Sequence, residues 1–547
     1  MTAVRPRPVA RSRSRGRSRG RGPATLAALV LPLALLGACA DTEAEDPEPA
    51  RGGSVFTIGT VGEPNDAEPV AGGELDVSAY TEVRSMDPVD VIANGLSGGT
   101  ELAAIYDVLV RYDPESASYE PHLAASLDAA EDSTVWTLGL REDVVFSDGT
   151  PLDAEAVVGS IERYLAEDGG QASLWQRKVA STKVVDARTV EFTMTEPWLD
   201  FAYMLATAPG MIVAPAAHAG AEFRPIGAGP YTFTHHQEGE ELLLSANPSY
   251  WGGEPALAEL RFRVVPTAQG TLDVLRSGDA DLGVLREPHV IKDAVESDLA
   301  GAMNVVSLGV GLIVNSREDA VTGDVLVRRA IAHALDPETV FARSYSGVGL
   351  PGTEMFAEES IWHTGAGGPE IDLEEAKRLV EEAKAQGFDG TVRYLGIQQV
   401  SLKTGVAIEA MLGAIGIEVE SEYVPSAAEM IERVFVQRDF DLAGWSFGTP
   451  DAGVYPELFE SFHSSSTANA GGYASPVMDG LIEDLGAATS QEQQREILEQ
   501  IQAEWNETVP AIVFGAQPEL VAWNDQVGGV VAHVDSMVLY HDAWVAS

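Results

Sequence analysis

Cysteine is nearly absent from this chain of 547 residues, because Cys39 is the only one. A lone thiol cannot form a disulfide within the chain, and no cluster of cysteines exists to bind a metal. Long apolar runs are also missing, since no stretch after Cys39 approaches the roughly 18 residues that indicate a membrane-spanning helix. We therefore expect the chain beyond Cys39 to be soluble.

Basic residues are scarce, with 35 Lys and Arg against 84 Asp and Glu and a formal net charge of −49. We expect no nucleic-acid partner, because binding to phosphates requires a basic surface. The acidity favours a well-solvated surface and leaves a preference for cationic solutes open. Hydrophobic residues make up 45% of the chain, which excludes general disorder, and the length predicts two or three domains.

Many of the basic residues are concentrated where the chain begins. Eight arginines and no acidic residue lie between Met1 and Gly22, and the apolar segment 24–36 leads to Leu-Gly-Ala before Cys39. This order predicts a secretory signal peptide over 1–38, too short to span a bilayer. The residues before Cys39 resemble a bacterial lipobox, so we predict that Cys39 is acylated and holds the protein on the outer face of the cell membrane. Residues 39–72 are predicted to be an acidic, lipid-anchored tether with little fixed structure.

Beyond the tether, strand and helix patterns alternate irregularly, which favours α/β lobes built on mixed sheets. Period-two patterns predict strands at 74–80, 135–140, 190–194, 231–234, 241–245 and 260–265. Helical periodicity and capping residues predict helices at 99–110, 153–164, 267–277, 325–335, 373–386, 405–415, 427–437, 476–487 and 491–507.

Four stretches carry a more specific pattern. They are 135–152 (VWTLGLREDVVFSDGTPL), 227–231 with 247–253 (GAGPY and NPSYWGG), 276–281 with 327–336 (RSGDAD and VRRAIAHALD), and 439–445 (DFDLAGW). In this order they resemble the extracytoplasmic solute-binding proteins of ABC importers, family 5, the oligopeptide, dipeptide and nickel type. The resemblance covers about residues 73–535. It implies a substrate-binding lipoprotein that captures a peptide or peptide-like small solute and delivers it to the permease subunits in the membrane.

The resemblance also implies an architecture. The fold would be the type II periplasmic-binding-protein fold, with two mixed-sheet lobes joined by a hinge and a third, small domain. Carried over to this sequence, the domains are domain I at 73–110, 209–304 and 515–547, domain II at 111–208, and domain III, the second cleft lobe, at 305–514. A solute that contacts both lobes would favour the closed state. Proteins of this family are usually monomers, so the resemblance also implies a monomer.

Two short segments are expected to hold the solute. In the oligopeptide branch of the family, an extended ligand pairs with the backbone of two segments as an added β-strand would. The resemblance assigns this role to Glu82, Val83 and Arg84 and to Gly444, Trp445 and Ser446. Trp445 fits ordinary core packing equally well.

One position departs from the family. Oligopeptide binders carry an Asp three residues after the Trp, and its carboxylate pairs with the ligand's ammonium group. Here Gly448 occupies that position, which disfavours peptides with a free amine. Asp451 could supply the carboxylate from a shifted position, or it could cap the next helix. The solute could therefore be a modified peptide, a sugar-like molecule or another polar solute.

Other functions fit parts of the sequence. A sensor that captures a signalling peptide would use the same fold. Residues 95–99 (GLSGG) match the G-x-S-x-G pattern of serine hydrolases, but Pro88 and Asn94 interrupt the strand that should precede it. His235 and His236 are adjacent, and adjacent strand residues point to opposite faces of a sheet. We therefore expect no enzyme activity, no metal site and no cofactor.

Overall fold

The computed structural model describes residues 55–546, except 64, 66, 221, 266 and 298. The predicted signal peptide, Cys39 and the first part of the predicted tether therefore lie outside the described residues. In the described part of the chain, no helix is both long and apolar enough to cross a membrane.

Strands are distributed along the whole described chain. They are β1 (Gly59–Val61), β2 (Glu74–Ala79), β3 (Val110–Asp113), β4 (Ser118–Pro121), β5 (Ala124–Ala129), β6 (Val135–Leu140), β7 (Val179–Asp186), β8 (Thr189–Met194), β9 (Tyr231–Gln237), β10 (Glu241–Ala246), β11 (Glu259–Val264), β12 (Leu282–Leu285), β13 (Ala300–Val314), β14 (Leu350–Pro351), β15 (Thr391–Ile397), β16 (Glu418–Val424), β17 (Leu442–Ala443), β18 (Ala511–Trp523), β19 (Val527–Gly528), β20 (Val531–Ala532), β21 (Val538–Leu539) and β22 (Trp544–Val545).

Helices alternate with these strands. They are α1 (Gly99–Tyr106), α2 (Ala154–Ala166), α3 (Ala172–Lys178), α4 (Phe201–Ala206), α5 (Ala268–Ser277), α6 (Pro288–Val295), α7 (Val325–Ala334), α8 (Pro337–Ser344), α9 (Leu373–Ala385), α10 (Leu402–Ala414), α11 (Ala427–Ile431), α12 (Val454–Phe462), α13 (Pro476–Gly486) and α14 (Gln491–Thr508). Side-chain caps start several of them, because Asp153, Thr267, Asp372 and Ser490 each accept a hydrogen bond from the first turn.

Two sheets dominate the fold. The main sheet is mixed, in the order β16-β15-β17-β13-β18-β12-β2-β11-β10-β9, with β1 added to β13 and β14 added to β18. Strand β2 runs parallel to both β11 and β12. A separate antiparallel sheet has the order β5-β6-β8-β7 and lies within predicted domain II.

The long strands β13 and β18 connect the halves of the main sheet. They pair antiparallel from Ala300 opposite Trp523 to Ile313 opposite Ala511, with register shifts between Val306 and Gly311. At one end β18 also pairs with β12, and at the other end β13 also pairs with β17. The predicted boundaries at 304/305 and 514/515 thus fall inside this ladder, close to where its register shifts.

Hydrophobic packing crosses the predicted domains. The largest core contains Leu75 of predicted domain I, Trp175 of predicted domain II and Tyr455 of predicted domain III, each at most 1% exposed. A second core packs α7, α9 and α10 against the β15 side of the main sheet. Fully burying a large apolar side chain contributes about 1.5–3 kcal/mol, so these shared cores stabilise contact between the predicted domains.

The structure differs from the sequence expectations in several places. The helix predicted over 99–110 ends at Tyr106, and the chain enters β3 at Val110. The long strands β13 and β18 were not predicted. The end of the predicted tether is ordered, because β1 pairs with β13 and the Phe56 side chain is 4% exposed.

Candidate functional site

The two predicted solute-holding segments follow strands on opposite sides of the β13–β18 ladder. The first segment, residues 82–84, comes shortly after β2, which reaches β18 through β12. The second segment, residues 444–446, follows directly after β17, which pairs with β13. The fold therefore presents one segment from each half of the main sheet.

Side chains hold the first segment in place. The Glu82 carboxylate accepts a hydrogen bond from the Gly239 backbone N–H at 2.7 Å and lies 3.1 Å from His236 Nε2. Val83 is 3% exposed and packs on Gly98, where a Cβ would come within 2.5 Å of a Val83 methyl group. Arg84 is exposed. Of the three predicted residues, only Arg84 presents its charge freely to solvent.

A network of charged and polar side chains, which the sequence did not indicate, begins beside the first segment at Tyr80. The Arg286 guanidinium lies 5.7 Å from the Tyr80 ring and 2.9 Å from Glu519 Oε1. Burial disfavours the charged form of Arg286, but Glu519 and Tyr80 outweigh that effect and raise its pKa. Ser536 donates to Glu519 Oε2 at 2.6 Å and accepts from Asn304 of β13 at 3.1 Å. These residues come from three distant regions of the chain, at 80, 286–304 and 519–536, and only Tyr80 lies near a predicted site residue in the sequence.

The second segment is partly fixed through its backbone. The Gly444 N–H donates to the Leu395 carbonyl of β15 at 2.8 Å, and the Trp445 carbonyl accepts from the Ile313 N–H of β13 at 3.1 Å. Ser446 Oγ donates to the Gly309 carbonyl at 2.8 Å. The backbone of this segment is therefore bonded towards β15 at Gly444 and towards β13 at Trp445.

The surroundings of Trp445 combine the two interpretations that the sequence left open, core packing and contact with a ligand. Its side chain is half-buried, and its ring lies 6.2 Å from the Phe435 ring at an interplanar angle of 78°. It packs on the edge of a small core that includes Leu395, Met430 and Phe440. A tryptophan with one face on a core and the other accessible can contact a ligand.

The two glycines of this region have different surroundings. A Cβ at Gly444 would lie 2.6 Å from the hydroxyl of Tyr394, which is fully buried. A Cβ at Gly448 would lie 3.1 Å from a Val306 methyl group, and Gly448 is exposed. The sheet thus requires glycine at 444, whereas position 448 has room for a side chain after a small adjustment.

The Asp451 carboxylate already has partners within the protein. It accepts from the hydroxyl of Ser360 and, at 3.0 Å, from the Ile361 N–H, while the Asp451 carbonyl accepts from Trp362 Nε1 at 2.8 Å. Burial raises the pKa of Asp451, and the bonds from Ser360 and Ile361 oppose that shift. Asp451 thus binds the loop at 360–362 instead of capping a helix, and these two bonds already occupy both of its carboxylate oxygens.

Three further carboxyl groups interact across the predicted domain boundary. Asp535, in predicted domain I, accepts from the Tyr203 hydroxyl at 2.9 Å, and its other oxygen is buried without a hydrogen-bond partner. Burial raises the pKa of Asp535 to about 7. Burial also raises the pKa of Glu457 on α12, with Glu460 and Asp535 adding to the shift. Burial and mutual repulsion therefore favour the protonated, uncharged forms of these carboxyl groups.

The residues of the alternative predictions are placed elsewhere. Ser97 Oγ donates to the Ile92 carbonyl and to Asn94 Oδ1, in a loop without a preceding strand. His235 lies 3.1 Å from Glu241 and His236 lies 3.1 Å from Glu82, so the two imidazoles make separate contacts. Among the described residues, no group of three His, Cys, Asp or Glu side chains is arranged to hold a metal ion.

Comparison with known proteins decides the family. Residues 118–469 match the family described as bacterial extracellular solute-binding proteins, family 5 Middle. The chain belongs to this family. Its members are binding proteins and not enzymes, so the predicted family and solute-binding role are confirmed.

Individual relatives agree with this assignment. The chain is 26% identical over 479 residues to the probable D,D-dipeptide-binding periplasmic protein DdpA of Escherichia coli, covering 84% of this chain and 91% of that protein. The oligopeptide-binding protein AppA of Bacillus subtilis, solved with a nonapeptide, superposes with a TM-score of 0.74 at 22% identity over 88% of this chain and 100% of that one. NikA of Brucella suis, solved with Fe(III)-EDTA, gives 0.72 at 22% identity over 86% of this chain and 100% of that one. The predicted type II periplasmic-binding fold is confirmed.

Proposed function

We propose that this protein captures a peptide or peptide-like small solute between the first and second segments and delivers it to the permease of an ABC importer. One observation supports this most strongly. Two residues of β13, five positions apart, connect to the two segments. Asn304 is linked through Ser536 and Glu519 to Arg286, which lies beside Tyr80 near the first segment. Gly309 accepts a hydrogen bond from Ser446 of the second segment. A fully extended strand covers about 16 Å in that distance. The register shifts after Val306 make the actual spacing shorter, so a short solute can contact both sides.

The charges favour a particular class of solute. Gly448 offers no carboxylate, and both oxygens of Asp451 are in use. Burial favours the uncharged forms of Asp535 and Glu457, which lie where the predicted domains I and III approach each other. A cationic group of a solute next to Asp535 would favour ionisation of its carboxyl group, whereas a free ammonium group at position 448 would lack a partner.

Opening of the lobes would have to break specific contacts. Lys178 of predicted domain II is fully buried and donates to the Gly486 carbonyl at 2.8 Å, and Gln494 donates to Asp200 at 2.8 Å. Either these bonds open with the cleft, or α13 and α14 move together with predicted domain II. A solute shifts this equilibrium by its difference in affinity for the two states.

Native mass spectrometry of protein purified from its host tests the proposal. A small solute should co-purify, and adding it back to stripped protein should reduce the radius of gyration in X-ray scattering. An unchanged radius, together with turnover of the solute that is lost in Ser97→Ala, would overturn the binding role in favour of hydrolysis.

We further propose that Cys39 is acylated and that the protein acts as a monomer on the outer face of the cell membrane. The signal-like segment and the absence of a membrane-spanning helix among the described residues support this. Cys39→Ser should release the protein into the medium, as measured by immunoblotting of cell and medium fractions. Retention of the variant on the membrane would contradict lipid anchoring.

A further inference from the structure

A pocket of about 150 Å³ lies against the first segment. Its walls include Glu82 and Val83, Glu101 of α1, and the turn between β9 and β10. It opens at the carboxyl ends of the parallel strands β2 and β11, where Ala79 and Val264 lie. Tyr80 and Arg286 are not among the residues that line this pocket. The pocket is therefore separate from the network of side chains around Arg286.

Glu101 is the unusual group in this pocket. Its side chain is 4% exposed and lines the pocket. Among the described residues, the carboxylate accepts a hydrogen bond only from its own backbone N–H, and no Lys, Arg or His interacts with it electrostatically. A buried carboxylate without a partner is strongly disfavoured, so an external cation would stabilise its charged form.

Several other charges that line the pocket are already paired. Glu82 binds His236 and the Gly239 N–H. Glu241 lies 3.3 Å from Arg261 Nε, and Arg263 lies 2.6 Å from Asp76. Glu101 is therefore the buried charge in this pocket that no residue of the protein balances.

The pocket's size and ligand set define the occupant. A pocket of about 150 Å³ is smaller than the roughly 300–1,000 Å³ typical of pockets for drug-sized ligands, so it suits a smaller organic molecule. The described residues offer no group of three metal-binding side chains, which disfavours a metal ion. An ammonium group has three donors for the Glu101 carboxylate and the neighbouring oxygens.

We propose that this pocket binds the ammonium group of a small primary amine, with Glu101 as its ion-pair partner, at a site separate from the solute cleft. Because Glu82 and Val83 form one wall, the bound amine would also support the first segment from behind. This site does not depend on the proposed transport function.

Titration calorimetry of the full chain with n-propylammonium at pH 8 tests the proposal, with n-propanol as the neutral probe of similar size. One saturable site for the amine and none for the alcohol are expected. Glu101→Gln should weaken amine binding at least tenfold, whereas Glu131→Gln, the same change at an exposed position, should leave it unaltered. Absence of a saturable site, or equal binding by Glu101→Gln, would overturn the proposal.

Two more variants locate the site. Val264→Trp places a bulky side chain at the pocket mouth, where Val264 is 42% exposed, and should block the amine while Glu101 remains. It keeps the proposal testable if Glu101→Gln fails to fold. Amine binding should survive in Trp445→Ala, and its loss there would place the amine in the solute cleft and refute a separate site.

Discussion

The two sides of the predicted cleft hold their carboxylates in different ways. Asp451, six residues after Trp445, accepts hydrogen bonds from Ser360 and Ile361 at its two oxygens. Asp535, on the opposite side, accepts one bond from Tyr203 and keeps a buried oxygen without a partner. Nearness in sequence to a recognisable motif therefore did not identify the carboxyl group that keeps an oxygen without a hydrogen-bond partner.

The difference has a physical cause. Asp451 lies at the start of a short helical turn, and the loop at 360–362 folds over it with one hydroxyl and one N–H donor. Asp535 adopts a left-handed backbone conformation at φ 55°, which directs it towards Tyr203. The first carboxylate stabilises a loop, whereas burial of the second favours its protonated form, which a nearby cation would ionise.

The largest expected effect is on the pH dependence of stability, through Asp535→Asn. The pKa of Asp535 rises from 3.8 to about 7 on folding, so the native state binds more protons between these values and loses stability as the pH rises. The loss would reach up to roughly 4 kcal/mol above pH 7 and should be largely absent in the variant. Urea unfolding from pH 4 to 8 measures it. The exposed Asp525→Asn is the control, and an identical pH slope in all three proteins would contradict the assignment.

The next largest effect is expected from Gly444→Ala on the opposite side. Its Cβ would lie 2.6 Å from the buried Tyr394 hydroxyl, so we expect a loss of about 1–3 kcal/mol in the free energy of unfolding. Gly448→Ala, whose nearest neighbour is a methyl group at 3.1 Å, should cost less. Equal unfolding midpoints for the two variants would show that the sheet adjusts freely at Gly444.

Trp445→Ala separates the packing and binding roles of this side chain. Since the ring is half-buried, we expect solute affinity to fall at least tenfold while the protein still folds cooperatively. Trp445→Phe should give an intermediate affinity. Binding is measured by calorimetry with the co-purifying solute, and unfolding by circular dichroism. Unfolded protein would instead indicate that Trp445 serves only the core.

The smallest effect is a gain of affinity in Gly448→Asp. This substitution supplies the carboxylate that oligopeptide binders of the family carry, so affinity for a free-amine tripeptide should rise up to about tenfold. Gly448→Asn is the isosteric neutral control, and the N-acetylated tripeptide is the control ligand. A similar gain for the acetylated peptide would show that charge pairing is not involved.

Local signals predicted much of the scaffold. Strand β6 spans residues 135–140 as its alternating pattern predicted, and its inward residues Trp136, Leu138 and Leu140 are buried. The caps Asp372 and Ser490 start α9 and α14 at the predicted positions. These features depend on neighbours within a few residues, which the sequence displays directly.

Non-local features were missed. β13 and β18 are buried along most of their length, so they lack the alternation that identifies a half-exposed strand. The helix predicted over 427–437 becomes a π-helix at Glu432–Gln437. The partners of Arg286 and Asp535 come from distant segments, and no local pattern indicates them.

The sequence by itself determined the family, six of the strands and most of the helices, and the glycine that departs from the family at 448. These follow from short-range periodicity, caps and contiguous motifs. Only the tertiary structure decided which charges are satisfied: Asp451 is paired, Asp535 keeps a free oxygen, and Glu101 faces a pocket without a counter-ion. The free energy of a buried charge depends on what surrounds it in space, and for these groups the surroundings are formed by residues tens to hundreds of positions away.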